Sequence, residues 1–210
     1  MRRVCCVFTL ALCWAVVFAG TSHADAFTYT FESPNFTLGS TTPLLNVAPN
    51  VGASTFRTSF TDTVNANGYS ITNIPENGLI SGQSLFAAIV TSPLTLTFST
   101  PITQLSLVFA IDIPDGLPTG FLRLVTPSGS FDQVSSAVGG GNGFQGGSLN
   151  FTTSVPFTTA TLQGFNSGGT SNTQIDIDNL TLSTATPEPS TLLLIGLGLA
   201  ALGGWRYKRM

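Results

Sequence analysis

Leu94-Thr95-Leu96-Thr97-Phe98-Ser99-Thr100-Pro101-Ile102-Thr103-Gln104-Leu105-Ser106-Leu107-Val108-Phe109-Ala110-Ile111 decides the fold class of this chain. Leu94, Leu96 and Phe98 alternate with threonines, and after Ser99-Thr100-Pro101 the alternation resumes with Leu105, Leu107, Phe109 and Ile111. A period of two puts all the apolar side chains of a strand on one face, whereas a helix would need them at three- and four-residue steps. The stretch therefore predicts two half-buried strands separated by a break at Ser99–Pro101.

Working outward, the same period recurs. Phe27, Tyr29 and Phe31 alternate with Thr28 and Thr30, and Phe56, Thr58 and Phe60 follow the same rule. Further strands are predicted over 69–74, 85–90, 121–125, 130–134, 148–153, 159–165 and 174–182. Asn67-Gly68, Asn77-Gly78, Pro114-Asp115-Gly116, Pro127-Ser128-Gly129 and Gly168-Gly169 punctuate them as turns. No segment between 25 and 186 keeps a helical period for three turns. Many short strands with such punctuation predict an all-β domain, an antiparallel β-sandwich of jelly-roll-like form. In the strand over 174–182, Ile175 and Ile177 share a face that Leu180 and Leu182 do not, so a bulge is expected near Asp178-Asn179.

The two ends differ in kind from this middle. Arg2 and Arg3 precede an apolar core from Val4 to Gly20, and Ser22-His23-Ala24 supplies small residues before a cleavage point, so 1–24 reads as a secretory signal peptide for signal peptidase. At the other end, Pro187-Glu188-Pro189 is followed by an apolar run from Thr191 to Trp205 and then by Arg206, Tyr207, Lys208 and Arg209. An uncharged run costs no charge desolvation in lipid, and the trailing cations favour the cytoplasmic side. At about 1.5 Å per residue the run spans roughly 22 Å, short of a hydrocarbon core of about 30 Å, which suits a transient single membrane-spanning helix. An extended acidic tripeptide between prolines, an apolar helix and a basic stop resemble the PEP-CTERM sorting signal of exported bacterial proteins. The resemblance covers 187–210 alone. It implies a membrane processing enzyme of the exosortase type as partner, Pro187, Glu188 and Pro189 as the recognised motif, and Arg206, Lys208 and Arg209 as the membrane stop. It also implies a destination at the cell surface or in the medium, within the polysaccharide matrix of biofilm-forming bacteria.

Setting the ends aside sharpens the composition. Cys5, Cys6, Cys13, His23, Trp14, Trp205, Lys208 and both methionines all lie in them, so 25–186 contains no Cys, His, Lys, Trp or Met. That domain carries Arg57 and Arg123 against nine acids, a formal charge of −7. Nucleic-acid binding is excluded, since it needs clustered cations. Disulfides are excluded too, and fourteen phenylalanines must supply the core instead. With no His, Cys or Lys, the nucleophile–base systems of hydrolases and imidazole- or thiolate-bound metals are absent. A glycosidase needs only two carboxylates, but nothing pairs the nine acids, and the chain reads as no enzyme.

Gly141-Asn142-Gly143-Phe144-Gln145-Gly146 matches a dinucleotide fingerprint literally, yet it leads into strand-like residues rather than a helix and reads as a loop. The closing segment Ile175-Asp176-Ile177-Asp178-Asn179-Leu180-Thr181-Leu182, with Glu32 early in the domain, is similar to carbohydrate-binding and galactose-binding-like jelly rolls. That resemblance implies a structural calcium held by Glu32, Asp176 and Asp178, oxygen ligands that suit a hard cation. The same pattern also suits two solvent-facing aspartates on an amphipathic strand. Two functions from different classes follow: a structural or adhesive matrix protein in contact with exopolysaccharide, and a glycan-binding module in which Tyr29, Tyr69 or a phenylalanine takes the place of the usual stacking Trp.

Overall fold

The chain divides into a unit over 25–185 and the terminal segments 1–24 and 186–210. A computed structural model describes residues 24–53, 55–62, 68–73, 80–87, 93–113, 119–136, 143–169 and 174–185. The segments read as a signal peptide (1–23 of it) and as a membrane-spanning helix, and the Pro187-Glu188-Pro189 motif, lie outside them.

Ten strands and no helix occur among the described residues: β1 Ala26–Tyr29, β2 Leu44–Val47, β3 Thr58–Asp62, β4 Ser70–Thr72, β5 Ser84–Ala87, β6 Leu94–Asp112, β7 Gly120–Thr126, β8 Gly129–Val134, β9 Phe144–Asn166 and β10 Ile175–Thr184. Every pairing is antiparallel. The break expected at Ser99–Pro101 is a bend inside one 19-residue strand, and the strands expected over 148–153 and 159–165 are likewise one strand of 23 residues. β6 and β9 pair on both sides of the bend and turn the same corner together.

Pro101 and Pro156 explain how the corner is made. Each sits exposed at the bend, where its missing N–H costs no ladder bond. The register Leu94↔Leu162 to Thr97↔Thr159 becomes Ile102↔Phe157 and then Gln104↔Thr152. Three extra residues on β6 are thus cancelled by three on β9, and the two arms share one register. Because three is odd, the inward set switches from Leu94, Leu96 and Phe98 to Leu105, Leu107, Phe109 and Ile111. The corner keeps leucine and phenylalanine facing inward while the strand passes from one layer to the other.

The first layer contains β2, β3, the 94–98 arm of β6, the 157–166 arm of β9, β7 and β8. The second contains the 144–152 arm of β9, the 102–112 arm of β6 and β10, with β5 and β1 on the far edge of β10 and β4 beyond β5. Their inner faces meet in one core. Tyr29 of the second layer packs edge-on against Phe60 of the first at 5.7 Å, Phe27 stacks on Phe56 at 3.9 Å, and Phe98 meets Phe157 at 6.1 Å across the corner. The domain is an antiparallel two-layer sandwich closed by phenylalanine, each ring worth about 1.5–3 kcal/mol of burial.

Candidate functional site

β10 is the central strand of the second layer, and its bulge falls where the sequence places it. The β10–β6 register shifts between Asp178 and Thr181, and Asn179 occupies the left-handed region at φ 51°. Before the bulge Ile175 and Ile177 face the core; after it Leu180 and Leu182 do. The outer face is therefore Asp176 and Asp178 first, then Thr181 and Ser183.

The outer position does not leave the two aspartates in solvent. Asp176 is 0 % and Asp178 2 % exposed, which overturns the reading of both as solvent-facing. Segments leading out of β1 and into β5 lie against Asp178, while Asp176 sits between Phe86 of β5 and Ala110 of β6. Phe31, a bulky residue at φ 58°, swings the chain after β1 so that Glu32 comes close enough for its charge to act on Asp178. The Asn179 N–H donates to Asp178 Oδ1 at 2.6 Å and its side-chain amide donates to Oδ2 at 3.1 Å. The Gln83 N–H donates to Glu32 Oε1 at 2.7 Å, and the Ser81 N–H also acts on Asp178. Between them Gly82 at φ 80° lies against the Glu32 carboxylate, where a Cβ would collide with Oε1. Burial first, and the neighbouring Glu32 charge next, push the Asp178 carboxyl up to about 6.

Glu32 and Asp178 are thus brought together around 81–83, while Asp176 lies one face position back along β10. No group of three or more Asp, Glu, His or Cys converges in a metal-holding arrangement among the described residues. Tyr29 and Tyr69, the tyrosines considered as sugar platforms, are each 0 % exposed and belong to the core.

Beyond the bulge, the same outer face opens into a cleft of about 130 Å³ lined by Gln104, Ser106, Asn150, Thr152, Thr181 and Ser183, with Leu105 and Phe151 beneath. Register builds it in two rows across the strands. Thr28, Thr181, Ser106 and Asn150 form one; Ser183, Gln104 and Thr152 form the other. Sequence reasoning missed this site because its polar residues look like the ordinary outer half of alternating strands; only the register shows that they are neighbours. The outer face of the first layer differs: Arg123 lies over the stacked rings of Phe121 and Phe165 and donates to both oxygens of Asp132 at 2.7 Å.

The fold defines the domain as an all-β antiparallel sandwich. Its tail is more specific: residues 185–209 match the family model for the PEP-CTERM protein-sorting motif, so the chain carries that motif and is of the exported class. No curated protein sequence matches the chain. Among solved structures, the K2 cleaved adhesin domain of Lys-gingipain is similar at TM-score 0.47 and 13% identity, covering 76% of this chain and 98% of that one. The K1 cleaved adhesin domain of Lys-gingipain from Porphyromonas gingivalis W83 gives 0.44 and 11%, with coverages of 76% and 98%. A non-crystalline cellulose specific carbohydrate-binding module, CBM28, gives 0.36 and 9%, with coverages of 56% and 82%. Likeness at this level assigns no ligand.

Proposed function

We propose that this chain is a non-catalytic structural or adhesive protein, exported, tethered briefly in the cytoplasmic membrane by its C-terminal helix, and then displayed or released into the extracellular polysaccharide matrix. The observation that carries the reading is the PEP-CTERM motif over 185–209. The composition of the delivered domain agrees with it. A domain without Cys, held by a phenylalanine core, needs no disulfide to fold outside the cell. Intact mass of the cell-surface and medium fractions, from hosts with and without an exosortase-type enzyme, tests the reading. The expected result is loss of the C-terminal segment only where the enzyme is present. A chain that keeps Met210 and stays in the membrane in both hosts is a plain anchored protein instead.

We also infer that Glu32 and Asp178 hold a structural calcium, with Asp176, one face position back along β10, adding its charge rather than a ligand. Two close carboxylates in a covered site attract a hard cation, and carboxylate and backbone oxygens are its preferred ligands. Melting in excess calcium against melting in chelator is the measurement. Saturating calcium is expected to stabilise the fold by about 2–4 kcal/mol, and equal midpoints remove the site.

A further inference from the structure

We propose that the cleft on the outer face of the second layer binds an uncharged polysaccharide, with the glycan chain running across strands β10, β6 and β9. The proposal rests on the export reading only in placing the domain where such polymers are found.

The chemistry of the lining selects the class. All six polar lining residues are hydroxyl or carboxamide side chains, and no charged residue is among the lining. Each offers both donor and acceptor capacity, which matches the hydroxyls of a sugar, themselves donors and acceptors at once. Gln104, Asn150 and Thr152 are exposed, and their side chains make no hydrogen bond to another described residue. Thr181, by contrast, is fixed by Thr28 at 3.1 Å, which stiffens one end of the first row. Strands set these groups about 4.8 Å apart across the sheet and about 7 Å apart along it, a periodic grid suited to a repeating polymer rather than to a single compact metabolite.

Charge excludes the acidic alternatives. A polyanion would meet no cation in the cleft and would approach a domain of formal charge −7. Aromatic stacking is missing as well, because Phe151 turns inward to pack against Phe131 at 5.9 Å and Phe157 at 6.0 Å. Hydrogen bonds alone give a weak site, with a dissociation constant on the order of 1 mM per cleft, so useful binding comes from many repeats on one polymer.

The test is frontal affinity chromatography of the full chain in detergent on immobilised neutral polysaccharides (dextran, xyloglucan and galactomannan) and on immobilised alginate. Retention is expected on at least one neutral matrix and not on alginate. Gln104→Ala with Asn150→Ala should lower retention at least tenfold, and so should the near-isosteric pair Gln104→Glu with Asn150→Asp, which guards against loss of fold by truncation. Gln163→Ala, on the outer face of the first layer, should leave retention unchanged. No retention on any neutral matrix, retention on alginate alone, or retention that survives both double variants overturns the proposal. So does a concentration-dependent dimer abolished by the same variants, which would make the cleft a contact between copies of this chain. Tail processing is read separately by mass, so a failed column leaves the sorting reading standing.

Discussion

Asp178 carries the sharpest chemistry at the scale of single residues. Its carboxyl is raised from an ordinary 3.8 to about 6, by burial first and by the Glu32 charge next, so the folded protein holds that proton more tightly than the unfolded chain does. The resulting stabilisation is fully present below about pH 4 and is lost as pH rises through about 6. In chelator, the melting temperature should therefore fall between pH 4.5 and 7. Asp178→Asn should flatten that slope, because the amide does not titrate and its oxygen still accepts from the Asn179 N–H. Calcium acts the other way: it binds the ionised carboxylates, so its stabilisation should grow with pH and vanish in Asp178→Asn. Thermal melts of both proteins across pH, with and without calcium, check the sign. A wild-type slope equal to that of the variant would remove the role given to burial. The sequence showed the Asp178-Asn179 bulge, because a parity change between Ile177 and Leu180 is local. It did not show that Asp178 is covered, because the residues beside it, Glu32 and Ser81, are remote in the chain.

At the scale of elements, the corner shared by β6 and β9 governs the fold. Alternation told which residues face inward along each arm, and Pro101 marked the interruption. The continuity of the strand was hidden, because a three-residue offset on β6 has meaning only once the matching offset on β9 cancels it. β2 was missed for a related reason: Leu44-Leu45-Asn46-Val47 has no alternation, and only its pairing to β3 makes it a strand. Phe157 is the residue that fills the corner, 3 % exposed and in contact with Phe98 and Phe151. Phe157→Ala should cost about 3–5 kcal/mol, since neither bent arm can collapse into the space without losing register. Val155→Ala, two residues away at an exposed position, should cost less than about 0.5 kcal/mol. Urea unfolding of the two variants measures the difference. Equal midpoints would show that the corner is held by backbone pairing and not by the ring.

At the scale of the whole molecule, the chain separates into parts that make independent predictions. The 25–186 domain, released from both ends, should give a predominantly β circular-dichroism spectrum and the same melting temperature with and without a thiol reductant, since its core contains no thiol. A helical spectrum or a reductant-dependent melt would contradict the division of the chain. The tail makes the stronger prediction. Prolines at 187 and 189 lack the N–H that a helix hydrogen bond needs, so the sorting reading expects Glu188 to be extended and open to a processing enzyme. On the proposed reading, replacing Pro187, Glu188 and Pro189 with alanine should let a helix over 191–205 extend backwards and should remove the charge, with Arg206, Lys208 and Arg209 expected to keep the C-terminus on the cytoplasmic side. Full-length protein should then accumulate in the cytoplasmic membrane of a host that clears the wild-type tail. Glu188→Ala alone keeps both prolines and separates the two causes: if it blocks processing as fully as the triple change, recognition is of charge, and if it is processed like wild type, the extended backbone is what the enzyme reads. Should the triple variant itself be cleaved and exported at the wild-type rate, the motif plays no part in sorting this chain, and the delivery of its domain must depend on something other than Pro187-Glu188-Pro189.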